Sequence, residues 1–256
     1  MKGASMFDLA GRTALVTGAG RGLGAGMARA LADAGAAVGL VARNRAQLDE
    51  VAGSIVAEGG RAQGFPHDLS DASQTDELVA QVATEFGDPD ILVHAAGIQV
   101  RSPAEELHLE DWDRVHDIHL RAAFALAVSV ARRLLEQRRP GSLILIGSLT
   151  SRIGLPNAVA YGAAKTGTVG LARALSAEWA HKHIRTNVIL PGYYHTDLTD
   201  ELFQDVQRRK ALRSRIPMGR FGSPDDLGGA VVFLASDASA YVTGQELAVD
   251  GGWLGA

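Results

Sequence analysis

Seven short apolar runs recur along the chain, at 13–16, 37–41, 62–65, 91–93, 143–146, 186–190 and 246–249. Several are apolar throughout rather than alternating, which is the pattern of strands covered on both faces. Helical periodicity fills the intervals at 23–33, 46–58, 73–86, 112–137, 158–181 and 224–235. The last of these starts well: Ser223 can cap, Pro224 suits a first turn, and Asp225 and Asp226 complement the positive helix end. Strands that alternate with helices pair in parallel, and right-handed crossovers then place helices on both faces. The predicted fold is therefore α/β, a doubly wound parallel sheet of about seven strands. No linker interrupts it, since Arg139-Pro140-Gly141 reads as a helix-to-strand turn. One domain is expected over residues 1–256, with the irregular polar stretch 192–217 as a candidate lid.

Composition narrows the function. With 46 % hydrophobic residues in 256, the chain can bury a sizeable core, and disorder is excluded. Acidic residues outnumber basic ones by 29 to 25, against the basic face of a dedicated nucleic-acid binder. The absence of cysteine removes disulfides, thiolate metal sites and thiol nucleophiles together, and no metal is expected. Residues 1–12 hold a Lys but no apolar leader core, and no run approaches the roughly 18 apolar residues of a membrane span. The expectation is a soluble cytoplasmic protein with a small-molecule partner, and neither nucleic acid nor membrane.

Thr17-Gly18-Ala19-Gly20-Arg21-Gly22-Leu23-Gly24 joins the first strand to the first helix. The spacing reads as G-x-G-x-x-A from Gly20 or as G-x-x-x-G-x-G from Gly18. At this place in a βαβ unit, glycines let backbone N–H groups approach a pyrophosphate at the helix N-terminus. The second strand ends Val41-Ala42-Arg43-Asn44-Arg45, with two guanidinium groups and no acid. An acid there binds a ribose 2′-hydroxyl, whereas an Arg accommodates a 2′-phosphate. NADP is the expected cofactor, with NAD the alternative if Arg43 and Arg45 merely begin a solvated helix. Asp68, at the end of the third strand, either accepts from an adenine amine or caps the next helix.

Tyr161-Gly162-Ala163-Ala164-Lys165 sets a phenol and an amine one helical turn apart on one face. A phenol with a pKa of about 10 is a poor base at neutrality, and a nearby ammonium stabilises its phenolate. The same ammonium can hydrogen-bond a ribose. Ser148 follows the strand 143–146, at the sheet edge where open α/β proteins bind ligands, and can hold a substrate oxygen beside the phenol.

Together these motifs resemble the short-chain dehydrogenase/reductase family in its compact one-domain form. The resemblance runs from Gly11 to Trp253. It rests on the glycine turn, Asp68-Leu69, His94-Ala95-Ala96-Gly97, Ser148, Tyr161 with Lys165, Asn187, Pro191-Gly192 with Thr196, and Val249-Asp250-Gly251-Gly252. It implies a Rossmann-type sheet and hydride exchange with a nicotinamide. Tyr161 would be the general acid/base, assisted by Lys165 and Ser148. The nucleotide would lie on Gly18, Gly20, Arg21, Gly22, Leu23, Gly24, Arg43, Asn44, Asp68, Leu69, Ala95, Ala96 and Gly97. Pro191, Gly192 and Thr196 would border its nicotinamide end. Two positions depart from the family pattern: His94 stands where Asn is usual, and Asp117-Ile118-His119-Leu120 puts His119 at the position of the family's catalytic Asn. The expectation is that His119 preserves that residue's proton relay and adds a pH dependence, since imidazole titrates near 6.5.

A narrower likeness covers Gly97 through Glu106, Ala177-Glu178-Trp179-Ala180, Pro191-Gly192-Tyr193 and Pro217 through Gly222. These segments resemble the gluconate 5-dehydrogenases and their deoxygluconate relatives, which implies a sugar acid such as gluconate or 5-ketogluconate. Arg101 lies just past the fourth strand, where a guanidinium fork can bind a carboxylate or simply be a surface charge. Tyr193, Tyr194 and His195 offer polar contacts for a polyol. Two other readings stay open. A 3-oxoacyl-carrier-protein reductase would need a basic rim at the cleft, but Arg132, Arg133, Arg138 and Arg139 lie towards the end of the long helix, on a solvated face. A non-catalytic NADP-binding sensor would not need the Ser148, Tyr161 and Lys165 set. The long helices are expected to carry an outer apolar stripe of Phe124, Val128, Val169 and Leu171, and the resemblance implies a homotetramer paired through such helices. The apolar tail 249–254 is expected to dock on a neighbour.

Overall fold

Parallel pairing throughout arranges seven strands in the order β3-β2-β1-β4-β5-β6-β7. The computed structural model describes residues 6–195 and 205–256. Its strands are β1 (Thr13–Thr17), β2 (Ala37–Ala42), β3 (Arg61–Pro66), β4 (Ile91–His94), β5 (Gly141–Ile146), β6 (Ile184–Pro191) and β7 (Glu246–Val249). Among the described residues the helices are α1 (Gly22–Asp33), α2 (Arg45–Ala57), α3 (Thr75–Phe86), α4 (Leu109–His116), α5 (Ala122–Gln137), α6 (Val159–Trp179), α7 (Val206–Ser214) and α8 (Gly228–Ala235). The expected doubly wound sheet is present, with strand ends shifted by one to two residues.

Successive strand residues point to opposite faces, so an all-apolar strand feeds two cores. Ala14, Val16, Val38 and Leu40 pack with Met27 and Leu31 of α1, Leu48 and Ile55 of α2, and Val231 and Leu234 of α8. Leu15, Leu92 and Leu143 pack on the other face with Leu78 and Val82 of α3, Leu126 and Val130 of α5, and Leu175 and Trp179 of α6. Each fully buried Leu contributes about 1.5–3 kcal/mol to holding the layers together.

The chain works outward from β1 to β3, then crosses back to lay β4 on the other side of β1. At such a switch point the two connections diverge and leave a crevice above the strands' carboxyl ends. Thr17 lies beside His94 there, at the last paired register of β1 and β4.

Three expectations need correcting. The stretch 112–137 is not one α-helix. A wide π-turn at Asp117–Arg121 separates α4 from α5, braced by an Arg121–Asp117 ion pair of 3.0 Å. The wider turn rotates the side chains that follow it and turns His119 inward, to 2 % exposure. Of the expected outer stripe, Phe124 is exposed, but Val169 is buried against Ala123 and Leu190. The tail docks on its own chain: Trp253 packs with Leu149 and Ile216, under the Arg215 guanidinium at 4.2 Å.

Candidate active site

A cavity of about 480 Å³ occupies the switch-point crevice. The glycine turn forms its floor. Gly18 has φ 66°, and a Cβ there would lie 2.8 Å from Ala96 N, so only glycine lets the turn close against the end of β4. A Cβ on Gly24 would strike the carbonyl of Gly18. The N-cap of α1, Arg21, makes no side-chain capping bond, and no acid sits in the first turn. Helix N–H groups and a positive dipole end therefore face the cavity, a cradle suited to a pyrophosphate.

The expected nucleotide residues line this cavity: Gly18, Gly20, Arg21, Gly22, Leu23, Gly24, Arg43, Asn44, Asp68, Leu69, Ala95, Ala96, Gly97, Pro191 and Gly192. Thr196 lies outside the described residues. The structure also separates the two arginines after β2. Arg45 is spent on Asp49, with Nε 2.8 and 3.0 Å from the two carboxylate oxygens, and Asn44 caps α2 by accepting from Gln47 N–H. Arg43 is the guanidinium left on the cavity wall. Asp68 lines the cavity while its Oδ1 accepts from Ser70 N–H at 3.0 Å, a bond that lowers its pKa; it does not cap the next helical turn, which Asp71 caps. Gln47 and His67 also line the wall and escaped the sequence reading. Gln47 was findable, since it sits one helical turn beyond Arg43.

Ser148, Tyr161 and Lys165 converge at the far end. Ser148 caps a one-turn helix, Leu149–Ser151, and lines the cavity end together with the Tyr161 phenol. Enclosure raises the pKa of Tyr161, while the Ser148 hydroxyl and the charge of Arg101 pull it back. Lys165 is 4 % exposed, and its Nζ donates to Ile146 O at 2.6 Å. Burial alone brings its pKa down to about 7. Its Nζ stands 5.6 Å from the Tyr161 ring centroid. The charge of Arg101 thus joins Ser148 in favouring the phenolate, a contribution the sequence reading did not assign.

Two buried histidines shape the wall. His94 Nε2 lies 3.0 Å from the Ile118 carbonyl, which requires its proton there. Nδ1 then accepts from Thr17 Oγ1 at 3.1 Å, and Thr17 Oγ1 accepts from Ala96 N–H. Burial lowers the pKa of His94 to about 4, so this chain of bonds survives at neutral pH. His119 Nε2 faces both groups of Ile98, its carbonyl oxygen at 2.8 Å and its N–H at 3.1 Å, and Nδ1 is buried without a partner among the described residues. Its ring meets Tyr161 edge-on at 5.3 Å, close behind Gly97. Burial, with Lys165 nearby, pushes its pKa well below 6.5. His119 is therefore neutral near pH 7, contrary to the expected titration near neutrality.

Arg101 is exposed and is not part of the cavity wall, but its charge reaches both Tyr161 and Tyr193. Tyr193 also stands off the cavity, edge-on to Trp253 at 4.8 Å. Tyr194 takes the wall position instead, its hydroxyl donating to Val249 O at 2.9 Å. Of the expected lid, residues 196–204 lie outside the described residues. Helix α7 packs Leu212 near Trp253 and Leu149, and carries Arg208, Arg209, Lys210 and Arg213, with Arg215 just beyond. This basic helix was not read from the sequence. Arg132, Arg133 and Arg139 pair with Asp76, Asp88 and Asp90. No helix among the described residues is long and apolar enough to cross a membrane.

A parallel sheet with a glycine-floored cradle at its switch point, and a serine, a phenol and an amine at its far end, defines a nicotinamide-nucleotide oxidoreductase. A family profile described as Enoyl-(Acyl carrier protein) reductase matches residues 18–254. The chain is 42 % identical over 248 residues to the 2-dehydro-3-deoxy-D-gluconate 5-dehydrogenase of Dickeya dadantii, covering 97 % of each. It is 40 % identical over 247 residues to the D-threitol dehydrogenase of Mycolicibacterium smegmatis, covering 96 % of this chain and 94 % of the relative. The crystal structure of a gluconate 5-dehydrogenase from Burkholderia cenocepacia, in complex with NADP and tartrate, matches with a TM-score of 0.93 at 37 % identity over 98 % of both chains. The chain belongs to the short-chain dehydrogenase/reductase family.

Proposed function

We propose that this chain is an NADP-preferring enzyme that interconverts a secondary alcohol and a ketone on a sugar acid of the gluconate/5-ketogluconate type. The observation that carries the reading is the convergence of Ser148 and Tyr161 on the cavity end, beside the buried Lys165 and within the field of Arg101. Bound NADP supplies the hydride acceptor or donor. The first turn of α1 would hold its pyrophosphate, Arg43 its 2′-phosphate, Asp68 and Leu69 its adenine side, and Lys165 a ribose hydroxyl. Ser148 Oγ would donate to the substrate oxygen while Tyr161 Oη takes its proton on oxidation and returns it on reduction. His119, neutral and bonded to Ile98, would fix the wall behind the phenol instead of titrating. Arg101 would hold the substrate carboxylate, and Tyr193 would border the same mouth.

Relatives named for gluconates support the acid, and NADP in the Burkholderia structure supports the cofactor. A carrier-protein-linked 3-oxoacyl reductase is the second reading, favoured by the basic helix α7, because such a carrier is acidic. Assembly as a homotetramer through the α5 face is part of the proposal, since Phe124 stands 52 % exposed there. So are a single domain and a cytoplasmic site of action.

The test follows NADPH absorbance with 5-ketogluconate, neutral ketoses and a 3-oxoacyl carrier substrate, in the parent, Tyr161→Phe and Arg101→Ala. Turnover of the sugar acid, lost in Tyr161→Phe and given a KM at least about tenfold higher by Arg101→Ala, supports the proposal. Cofactor binding without turnover of any substrate favours a sensor and overturns it.

A further inference from the structure

Ser151 lies outside the cavity wall, yet it joins the two segments that carry the chemistry. Its Oγ accepts from Ser148 N–H at 3.2 Å and donates to the Lys165 carbonyl at 2.8 Å. The first bond closes a reciprocal cap with Ser148, whose own Oγ accepts from Thr150 N–H at 3.2 Å. The second reaches across to α6, within one helical turn of Tyr161. A single hydroxyl therefore spans the serine's turn and the helix of the phenol and amine.

Besides this hydroxyl, Lys165 Nζ holds the Ile146 carbonyl at 2.6 Å, two residues before Ser148, and the ties to the turn itself are weaker or more distant. Thr166 Oγ1 reaches the Thr150 carbonyl at 3.4 Å but is bonded more closely to Gly162 O, at 2.8 Å. Glu246 of β7 holds Arg152 and Arg173 at 2.7 Å each, both of them exposed and beyond the reacting end. The space beside Ser151 is also close: a Cβ on Gly147 would come within 3.2 Å of its Oγ. The turn is therefore seated on one polar contact at short range.

We infer that Ser151 is a positioning residue, setting the distance between the Ser148 hydroxyl and the Tyr161 phenol through its bond to the Lys165 carbonyl. Proton transfer is steep in such a distance, and a misplacement of about 1 Å costs on the order of a hundredfold in rate. The nearby Ser148 hydroxyl also helps to hold the phenol's pKa down. Loosening the turn should therefore slow turnover and shift the phenol's titration to higher pH.

This role rests on the dehydrogenase reading, so the parent is first shown to turn over a sugar acid or another ketone. A parent that turns over none removes that reading and this role with it. Ser151→Ala is then compared with the parent, Ser148→Ala and the double variant, measuring kcat, NADPH Kd by fluorescence, and the pH profile of alcohol oxidation. Ser151→Ala should lower kcat by about 10–100-fold, leave NADPH Kd within about twofold and move the basic-group limb to higher pH. In the Ser148→Ala background the same change should cost less than about twofold, because the group it positions is gone. A parental kcat and limb in Ser151→Ala, or an equal loss in both backgrounds, overturns the inference while leaving the enzymatic reading intact.

Discussion

Lys165 offers the sharpest test of how the site is built, because the groups that make it useful also make it costly. Its Nζ is buried on a single carbonyl, and its pKa in the fold is about 7 against 10.5 for a free side chain. Between these values the unfolded chain holds a proton that the folded chain has released, so parental stability rises with pH across that window. Below about pH 7 the folded chain must carry the charge, and the full penalty is in force. The difference corresponds to on the order of 5 kcal/mol. Lys165→Met removes this penalty but leaves the Ile146 carbonyl without its donor, at a cost of about 1–3 kcal/mol. A net gain of about 2–4 kcal/mol remains at pH 6, roughly 4–16 °C in Tm. By about pH 9 the parental penalty has dropped to about 2 kcal/mol and the gain is close to zero. Thermal melts of both proteins at the two pH values check this, alongside turnover, which should fall by at least about a hundredfold in the variant. A variant no more stable than the parent at pH 6, or a gain that does not shrink towards pH 9, refutes the reasoning.

Other outcomes follow from the cavity walls. Arg43→Asp should weaken NADPH binding about 10–100-fold while changing NADH binding less than about threefold, read by fluorescence titration. Equal effects on the two would place the 2′-phosphate elsewhere. His119→Asn should give a pH–rate profile that superimposes on the parent's between about pH 6 and 8, because the buried imidazole is already neutral there. A limb that disappears in the variant would show that His119 titrates in turnover.

The alternation of apolar runs with amphipathic stretches made the doubly wound sheet legible, since the period of the pattern is local and needs no knowledge of neighbours. The glycine turn and the pair Tyr161 and Lys165 were legible for the same reason: short-range spacing sets which groups share a helix face or a turn. Other features depended on residues far apart in sequence. Arg45 meets Asp49 four residues on along the same helix, a spacing the sequence itself holds, but it takes the fold to put Arg43 on the cavity wall. Tyr193 and Tyr194 are adjacent, but the end of β6 sends one to Trp253 and the other to the cavity.

His119 shows the division most clearly. Its position in the chain marked it as a departure from the family pattern, and its residue type suggested a group titrating near neutrality. Burial of the ring and the nearby Lys165 decided otherwise, disfavouring its charge against the opposing pull of the Ile98 carbonyl. By itself the sequence determined the periodicity, the turns and the residue types available to the site. Which of those groups are charged, and which meet, was decided by tertiary structure, because desolvation and contact depend on what the rest of the chain brings alongside.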